Sequence, residues 1–190
     1  MSSLHANTAL IVVDVQQSFR YRPYWSDAEV PTFLANLQEL VDGAHARRIP
    51  VLQVFHVEPE GPFSIRSGNV VTMSGVSITP TEQFEKRSHS ALVGSGLDVW
   101  LTRAGIRRLI VSGIRTEQCC ETTTRHASDL GYAVDYVTEA TLTFPMTDRH
   151  GRVWSPAEIR ARTELVLEGR FARIVDRHTA LTSPDVRLCA

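Results

Sequence analysis

Residues 8–14 have the sequence Thr8-Ala9-Leu10-Ile11-Val12-Val13-Asp14, an unbroken apolar run that stops at an aspartate. A strand with one solvated face alternates apolar and polar residues, whereas a strand covered on both faces is apolar throughout. The run therefore predicts a strand in the middle of a parallel sheet. In such sheets ligands bind beyond the carboxyl ends of the strands, where Asp14 would lie.

Further apolar runs and helical patterns alternate along the chain after this first strand. Strands are predicted over 51–55, 109–112, 133–137 and 172–175, and helices over 31–48, 97–104, 117–130 and 156–168. Ser155 and Glu158 form a capping box at the start of the last helix, with proline at its first position. The alternation predicts a single α/β domain over residues 1–190, a three-layer α/β/α sandwich with a mainly parallel, doubly wound sheet.

Composition excludes several classes of protein. The 190 residues carry 20 basic and 21 acidic side chains, a net charge of -1, which argues against nucleic-acid binding and against a polybasic membrane anchor. No apolar run reaches the ~18 residues of a membrane span, and residues 1–5 lack the features of a signal peptide. Three cysteines, two of them adjacent, make a poor disulfide framework. We therefore expect a cytoplasmic protein that binds neither nucleic acid nor membrane.

Residues 59–93 differ from the rest of the chain. They contain several prolines and glycines and few sustained patterns. A long irregular stretch in a compact domain is often functional. A surface excursion or a contact between subunits explains the segment equally well.

Cys119 is the first candidate for chemistry. Thr116 lies three residues earlier, in a good N-cap position, so Cys119 is expected in the first turn of a helix. A helix N-terminus favours the thiolate and lowers the pKa of the thiol. A buried cysteine that only packs is the alternative, with about equal weight, and Cys120 is expected to pack.

Asp14 and Lys86 are weaker candidates when each is taken alone. A strand-terminal aspartate can act as nucleophile, base or metal ligand, but the Asp-x-Asp pattern of phosphatases is missing here. Lys86 belongs to a charge cluster, and it matters only if it folds back to Cys119, where a cation would stabilise the thiolate. No dinucleotide fingerprint, P-loop or zinc pattern is present, so no cofactor and no metal are expected.

Five segments together resemble the isochorismatase-like cysteine hydrolases. They are residues 9–16, Lys86 with Ser90-Ala91-Leu92, Gly113-Ile114-Arg115-Thr116-Glu117-Gln118-Cys119, residues 122–132 and residues 138–141. The similarity extends from about residue 8 to residue 144, and less clearly to about 176. Each motif is modest, but their order and spacing are specific. The resemblance implies the three-layer fold that the pattern of strands and helices already predicts.

The resemblance also implies a catalytic site. The family's triad corresponds to Asp14, Lys86 and Cys119, and its cis peptide to the Ile114–Arg115 bond. The backbone N–H groups of Arg115 and Cys119 would form an oxyanion hole. Asp14 would take the thiol proton, and the thiolate would attack an amide carbonyl and form a thioester that water hydrolyses. The implied activity is that of a metal-independent cysteine amidohydrolase acting on an amide or carbamoyl C–N bond.

Departures from the family pattern limit the choice of reaction. The nicotinamidase branch is expected to have an aspartate–histidine metal site after the second strand, and residues 54–59 lack that set. Isochorismatases proper cleave an enol ether and often lack the cysteine, so Cys119 favours C–N cleavage. Hydrolysis of a vinyl ether, and a catalytically silent binding scaffold on the same fold, stay open as alternatives.

Candidate substrate contacts lie around these residues. We expect a small-molecule substrate in contact with Gln16, Phe19, Trp25, His56 and Arg115. The aromatic residues could equally pack a loop, and His56 could serve only as a hydrogen-bonding residue. Arg115 could bind a carboxylate or be a solvated charge. Family resemblance further implies a homo-oligomer, either a dimer or a tetramer.

Overall fold

The structure is a computed structural model that describes residues 7–183. Residues 1–6 and 184–190, with Cys189 among them, lie outside the described residues. The strands are β1 (Thr8–Val13), β2 (Val51–His56), β3 (Glu82–Lys86), β4 (Arg108–Ile114), β5 (Ala133–Leu142), β6 (Met146–Thr147), β7 (Val153–Trp154) and β8 (Arg173–Ile174). The helices are α1 (Val30–Ala46), α2 (Leu97–Arg103), α3 (Glu121–Asp129), α4 (Pro156–Leu167) and α5 (Arg177–Thr182).

Six of the strands within residues 7–183 form one parallel sheet in the order β3-β2-β1-β4-β5-β8. Strand β1 is central and fully buried. Ala9, Ile11 and Val13 belong to the core under α2, α3 and α4, whereas Leu10 and Val12 belong to the core under α1 and α5. The predicted three-layer, doubly wound α/β/α fold is confirmed. Within the described range, no helix is both long and apolar enough to cross a membrane.

Strand β3 is an element that the sequence analysis missed. It pairs in parallel with β2 at the edge of the sheet, and Lys86 is its last residue. Three of its five residues, Glu82, Gln83 and Glu85, are exposed. Such an edge strand needs no apolar run, so the pattern that identified the central strands is absent from it.

The rest of the irregular segment packs against the turn that follows Asp14. Backbone N–H groups of Gln17 and Ser18 donate to the carbonyls of Val71 and Asn69, each at 3.0 Å. The N–H of Met73 donates to the carbonyl of Val15 at 3.1 Å. The connection between β2 and β3 is therefore bonded to the loop at the carboxyl end of β1.

Gly113 allows β1 and β4 to approach each other closely. Its φ is +123°, and a Cβ built on it would lie 2.0 Å from the carbonyl oxygen of Val13. The pairing register of β4 with β5 also shifts between Val111 and Gly113. Only glycine fits this position, which directly precedes the loop that carries Cys119.

The N-terminus of α4 has the predicted capping pattern, whereas the start of the helix before α3 differs from the prediction. The capping box predicted for α4 is confirmed, because the N–H of Glu158 donates to Ser155 Oγ at 3.3 Å and the N–H of Ser155 donates to Glu158 Oε2 at 2.8 Å. The helix predicted over 117–130 instead begins with a π-helical turn, Thr116–Cys120, which continues into α3.

Candidate active site

Three strand ends bring Asp14, Lys86 and Cys119 together. Asp14 directly follows β1, Lys86 ends β3, and Cys119 lies in the π-helical turn after β4. Strand order reverses between β1 and β4, since β2 lies on one side of β1 and β4 on the other. A crevice forms at such a switch point, and it is the usual ligand site of a doubly wound sheet.

The Lys86 ammonium bridges the other two side chains. Its Nζ lies 2.7 Å from Asp14 Oδ2 and donates to Cys119 Sγ at 3.3 Å. Nζ also donates to the carbonyl oxygen of Ser88 at 3.0 Å. The side chains of Asp14 and Lys86 are fully buried, so each charge depends on the other for compensation.

Electrostatics leave the resting sulfur protonated. Burial, and secondarily the Asp14 carboxylate, raise the pKa of the Cys119 thiol to about 12, although Lys86 acts in the opposite direction. Burial also raises the pKa of Asp14, against the effect of Lys86. Burial alone would lower the pKa of Lys86, but Asp14 and Cys119 outweigh it and raise that pKa. The site is therefore an ion pair beside a thiol.

This result contradicts the sequence-based expectation of a lowered thiol pKa. Thr116 does not cap the helix, because its Oγ1 lies 2.7 Å from Thr141 Oγ1. Arg115 occupies the N-cap position and makes no capping hydrogen bond through its side chain. Desolvation of Cys119 and the nearby Asp14 charge instead raise the pKa of the thiol.

The backbone before the thiol has an unusual geometry. The peptide bond between Ile114 and Arg115 is cis. The carbonyl oxygen of Arg115 accepts hydrogen bonds from the N–H groups of Gln118 and Cys120, at 3.2 and 3.1 Å. These bonds fix the turn on which Cys119 lies. The oxyanion hole formed by the N–H groups of Arg115 and Cys119 stays a prediction.

The Arg115 side chain is buried against aromatic rings and a carboxylate. Its guanidinium carbon lies 4.6 Å from the ring centre of Tyr24 and 5.8 Å from that of Phe144. Glu117 pairs with it at 2.8 Å and also accepts a 2.6 Å hydrogen bond from Thr143 Oγ1. Arg115 is thus not a solvated charge. Its Nε is buried without a hydrogen-bond partner among the described residues.

Gln16 has a different role from the one predicted. Its Oε1 accepts the backbone N–H of His56 at 2.7 Å, and its Nε2 donates to the backbone oxygen of His56 at 3.0 Å and to Ser18 Oγ at 2.9 Å. Gln16 is fully buried. Its amide is used to hold His56 in place, so it is not free to bind a substrate.

His56 links the site to a charged pair. Its Nδ1 lies 3.4 Å from Lys86 Nζ, and its Nε2 lies 3.6 Å from Glu58 Oε1. Glu58 in turn accepts a 2.6 Å hydrogen bond from Arg22. Burial and then Lys86 lower the pKa of His56, which favours a neutral ring. Both ring nitrogens therefore have partners in the protein.

Two pairs of aromatic side chains pack against each other in the loops beyond the carboxyl ends of the strands. Phe19 is buried and packs edge-on against Phe63, with ring centres 5.0 Å apart. Trp25 is half-buried and packs against Phe144 at 5.2 Å. Both residues pack loops, as the alternative interpretation proposed, while the exposed part of Trp25 leaves it available to a ligand.

Several residues of the site had no sequence signal of their own. Phe144 and His89 are among them, and His89 Nδ1 lies 3.9 Å from Cys119 Sγ. The spacing of His89, three residues after Lys86, was the one available clue. Among residues 7–183, no group of three or more His, Cys, Asp or Glu side chains has the arrangement of a metal site.

Comparisons with known proteins agree with this architecture. The model of the isochorismatase domain matches residues 8–163. A crystal structure of a protein of the isochorismatase family from Chromobacterium violaceum superimposes with a TM-score of 0.84 and 28% identity, covering 93% of this chain and 92% of that one. The isochorismatase family protein YrdC of Bacillus subtilis is 25% identical over 170 residues, 88% of this chain and 90% of YrdC. Nicotinamidase 3 of Arabidopsis thaliana is 42% identical over 65 residues, 34% of this chain and 33% of that protein.

Proposed function

Because the chain belongs to the isochorismatase family, we propose that it is a cysteine hydrolase that cleaves a C–N bond of a small amide or carbamoyl compound. One observation carries this proposal: Lys86 Nζ lies within hydrogen-bond distance of both a buried carboxylate and the Cys119 sulfur. A base, a cation and a nucleophile in contact are the parts that acyl transfer through a thioester requires.

In the proposed mechanism, Asp14 accepts the proton of the Cys119 thiol as the sulfur attacks the carbonyl carbon of the substrate. The Lys86 ammonium stabilises the thiolate that forms. The N–H groups of Arg115 and Cys119 hold the developing oxyanion. Asp14 then donates its proton to the departing nitrogen, the C–N bond breaks, and a thioester remains on Cys119.

The pKa shifts of Cys119 and Asp14 in the resting site are compatible with this order of proton transfers. A thiol with a pKa of about 12 keeps its proton until a base next to it accepts that proton. The raised pKa of Asp14 brings the proton affinity of the carboxylate closer to that of the thiol. Proton transfer from Cys119 to Asp14 is therefore easier than it would be for a solvated carboxylate.

We propose substrate contacts for Trp25, His56 and Arg115. Trp25 is half-buried and offers an apolar surface, and His56 lies beside Lys86. The unpartnered Nε of Arg115 can donate to an acceptor group of a substrate. Similarity to a protein named nicotinamidase supports an amide substrate. The residues after β2 lack the metal ligands expected of that branch, and we propose a reaction that needs no metal.

The proposal is tested by ammonia release from a panel of small primary amides that includes nicotinamide. We expect Cys119→Ala to lower the rate by at least about 10³-fold, because it removes the nucleophile. Cys120→Ala is the matched control, since Cys120 is fully buried and should leave the rate within about tenfold of wild type.

Retention of hydrolysis in Cys119→Ala would contradict the proposal. Hydrolysis of a vinyl ether by both the wild type and Cys119→Ala, without ammonia release from any amide, would instead favour the vinyl-ether route, which needs no thiol. Acid quenching, peptic digestion at low pH and mass mapping of the trapped enzyme identify the acylated residue independently of the rates. Acyl groups found on Cys120 but not on Cys119 would be equally incompatible with the proposed mechanism.

A further inference from the structure

His89 contacts the nucleophile from outside the buried pair. It lies in the loop between β3 and α2, its side chain is exposed, and its Nδ1 is 3.9 Å from Cys119 Sγ. The side chains of Asp14 and Lys86, by contrast, have no exposed surface. The sulfur therefore has a buried side with an ion pair and a solvent side with an imidazole.

The loop that carries His89 is fixed on both sides of it. Before it, the carbonyl oxygen of Ser88 accepts a hydrogen bond from Lys86 Nζ at 3.0 Å. After it, Ser90 Oγ lies 2.9 Å from His126 Nδ1, and the N–H of Ala91 donates to Thr123 Oγ1 at 2.9 Å. These bonds tie the loop to the catalytic lysine and to α3, so the backbone of His89 has a defined position.

No other imidazole at the site is free in the same way. His56 has Lys86 at one ring nitrogen and Glu58 at the other. Asp14 is held by Lys86 on the buried side of the sulfur. Water that hydrolyses a thioester on Cys119 must arrive from the solvent side, where His89 is the titratable group in contact with the sulfur.

We propose that His89 is a fourth catalytic residue, the base that activates water for hydrolysis of the Cys119 thioester. This inference rests on the proposed thioester mechanism. His89 Nδ1 takes a proton from water as the water oxygen bonds to the thioester carbonyl carbon. The carbon–sulfur bond then breaks with its electron pair on Sγ. His89 returns the proton to Sγ, which regenerates the thiol and releases the carboxylic acid.

The experiment uses p-nitrophenyl acetate, whose nitrophenolate release reports acylation as a burst and deacylation as the steady rate. In His89→Ala we expect the burst to persist while the steady rate falls by at least about 100-fold, the usual contribution of a general base. Intact-mass measurement should then show an acetyl group accumulating on Cys119. Added imidazole should restore the steady rate, because the exposed position of His89 leaves room for it.

Two controls distinguish loss of the His89 base from the removal of any surface imidazole and from the direct reaction of added imidazole with the ester. His45→Ala removes an exposed imidazole on α1 that bonds to the carbonyl of Thr79, and it should turn over like the wild type. The double variant Cys119→Ala, His89→Ala measures the reaction of imidazole with the ester itself. Rescue by imidazole is the part of the steady rate that exceeds this background rate.

The outcomes separate a failure of the proposed function from a failure of the role proposed for His89 alone. A wild-type protein that is never acylated at Cys119 contradicts the proposed function, and the role of His89 falls with it. Acylation of Cys119 with normal steady turnover in His89→Ala overturns the role of His89 alone. An equal loss of burst and steady rate, or a failure of imidazole to rescue, also overturns it, because a structural defect would give those results.

Discussion

The Cys119 thiol shows how single residues set the chemistry of the site. In an unfolded chain its ordinary pKa is 9.0, and burial with Asp14 raises it to about 12 in the native state. The native protein therefore holds this proton more tightly than the unfolded chain does. The resulting contribution to stability is complete below about pH 9 and is lost as the pH rises from 9 towards 12.

Asp14→Asn should make Cys119 more reactive and the enzyme less active. The substitution removes the anion that raises the thiol pKa and leaves Lys86, which lowers it. We expect alkylation by iodoacetamide at neutral pH to rise at least about tenfold, which corresponds to one pKa unit. Hydrolysis should fall by at least about 100-fold, because the proposed base is lost.

Peptide mapping of the alkylated cysteine against pH measures this effect. Cys120 serves as the internal control, since it is fully buried and burial raises its pKa well above the ordinary value. A slower reaction of Cys119 in Asp14→Asn would show that Asp14 does not oppose the thiolate. Wild-type Cys119 that reacts fast near pH 7 would contradict the protonated resting state.

Among the elements, those in the centre of the sheet could be predicted and those at its edge could not. Strand β1 is a continuous apolar run, and β2 is apolar except at Gln53 and His56, because helices cover both faces of the sheet there. Strand β3 has exposed charged residues, so its amino acids do not differ from those of a loop. The π-helical turn at Thr116–Cys120 was also not predicted, and the residue that starts it, Thr116, contacts Thr141, which is distant in sequence.

At Gly113, the absence of a Cβ atom allows β1 and β4 to approach each other closely. We expect Gly113→Ala to cost more than about 3 kcal/mol, because the new Cβ would meet the Val13 backbone at a positive φ. Gly96→Ala is the matched control, with φ +81° and nothing within 4 Å of its Cβ, and should cost roughly 1 kcal/mol. Urea unfolding measures both, and equal losses would contradict the close-approach argument.

At the scale of the whole molecule, the site exists only when the sheet is complete. Its three central residues, Asp14, Lys86 and Cys119, follow or end strands that are far apart in sequence. The sequence was sufficient to select these residues as candidates, because each of them lies within a short motif of neighbouring residues. The pKa of Cys119, the contact with His89 and the packing of Arg115 on Tyr24 and Phe144 depend on contacts between residues far apart in sequence, which no local pattern records.

We also expect the chain to assemble into a dimer or a tetramer, as the family resemblance implies. One chain has a mass of 21.2 kDa. Size-exclusion chromatography with light scattering should give about two or four times that mass across a tenfold dilution. A mass equal to one chain at every concentration would contradict the prediction.

The bonded connection between β2 and β3 has an evolutionary consequence. The proposed reacting groups lie at the ends of strands, whereas Phe63, which packs against Phe19, comes from a connecting segment with hydrogen bonds of its own. Mutations and insertions in a surface connection disturb a fold less than changes in a buried strand. A lineage with this architecture can therefore remodel this connection while it inherits the proposed nucleophile, base and cation unchanged.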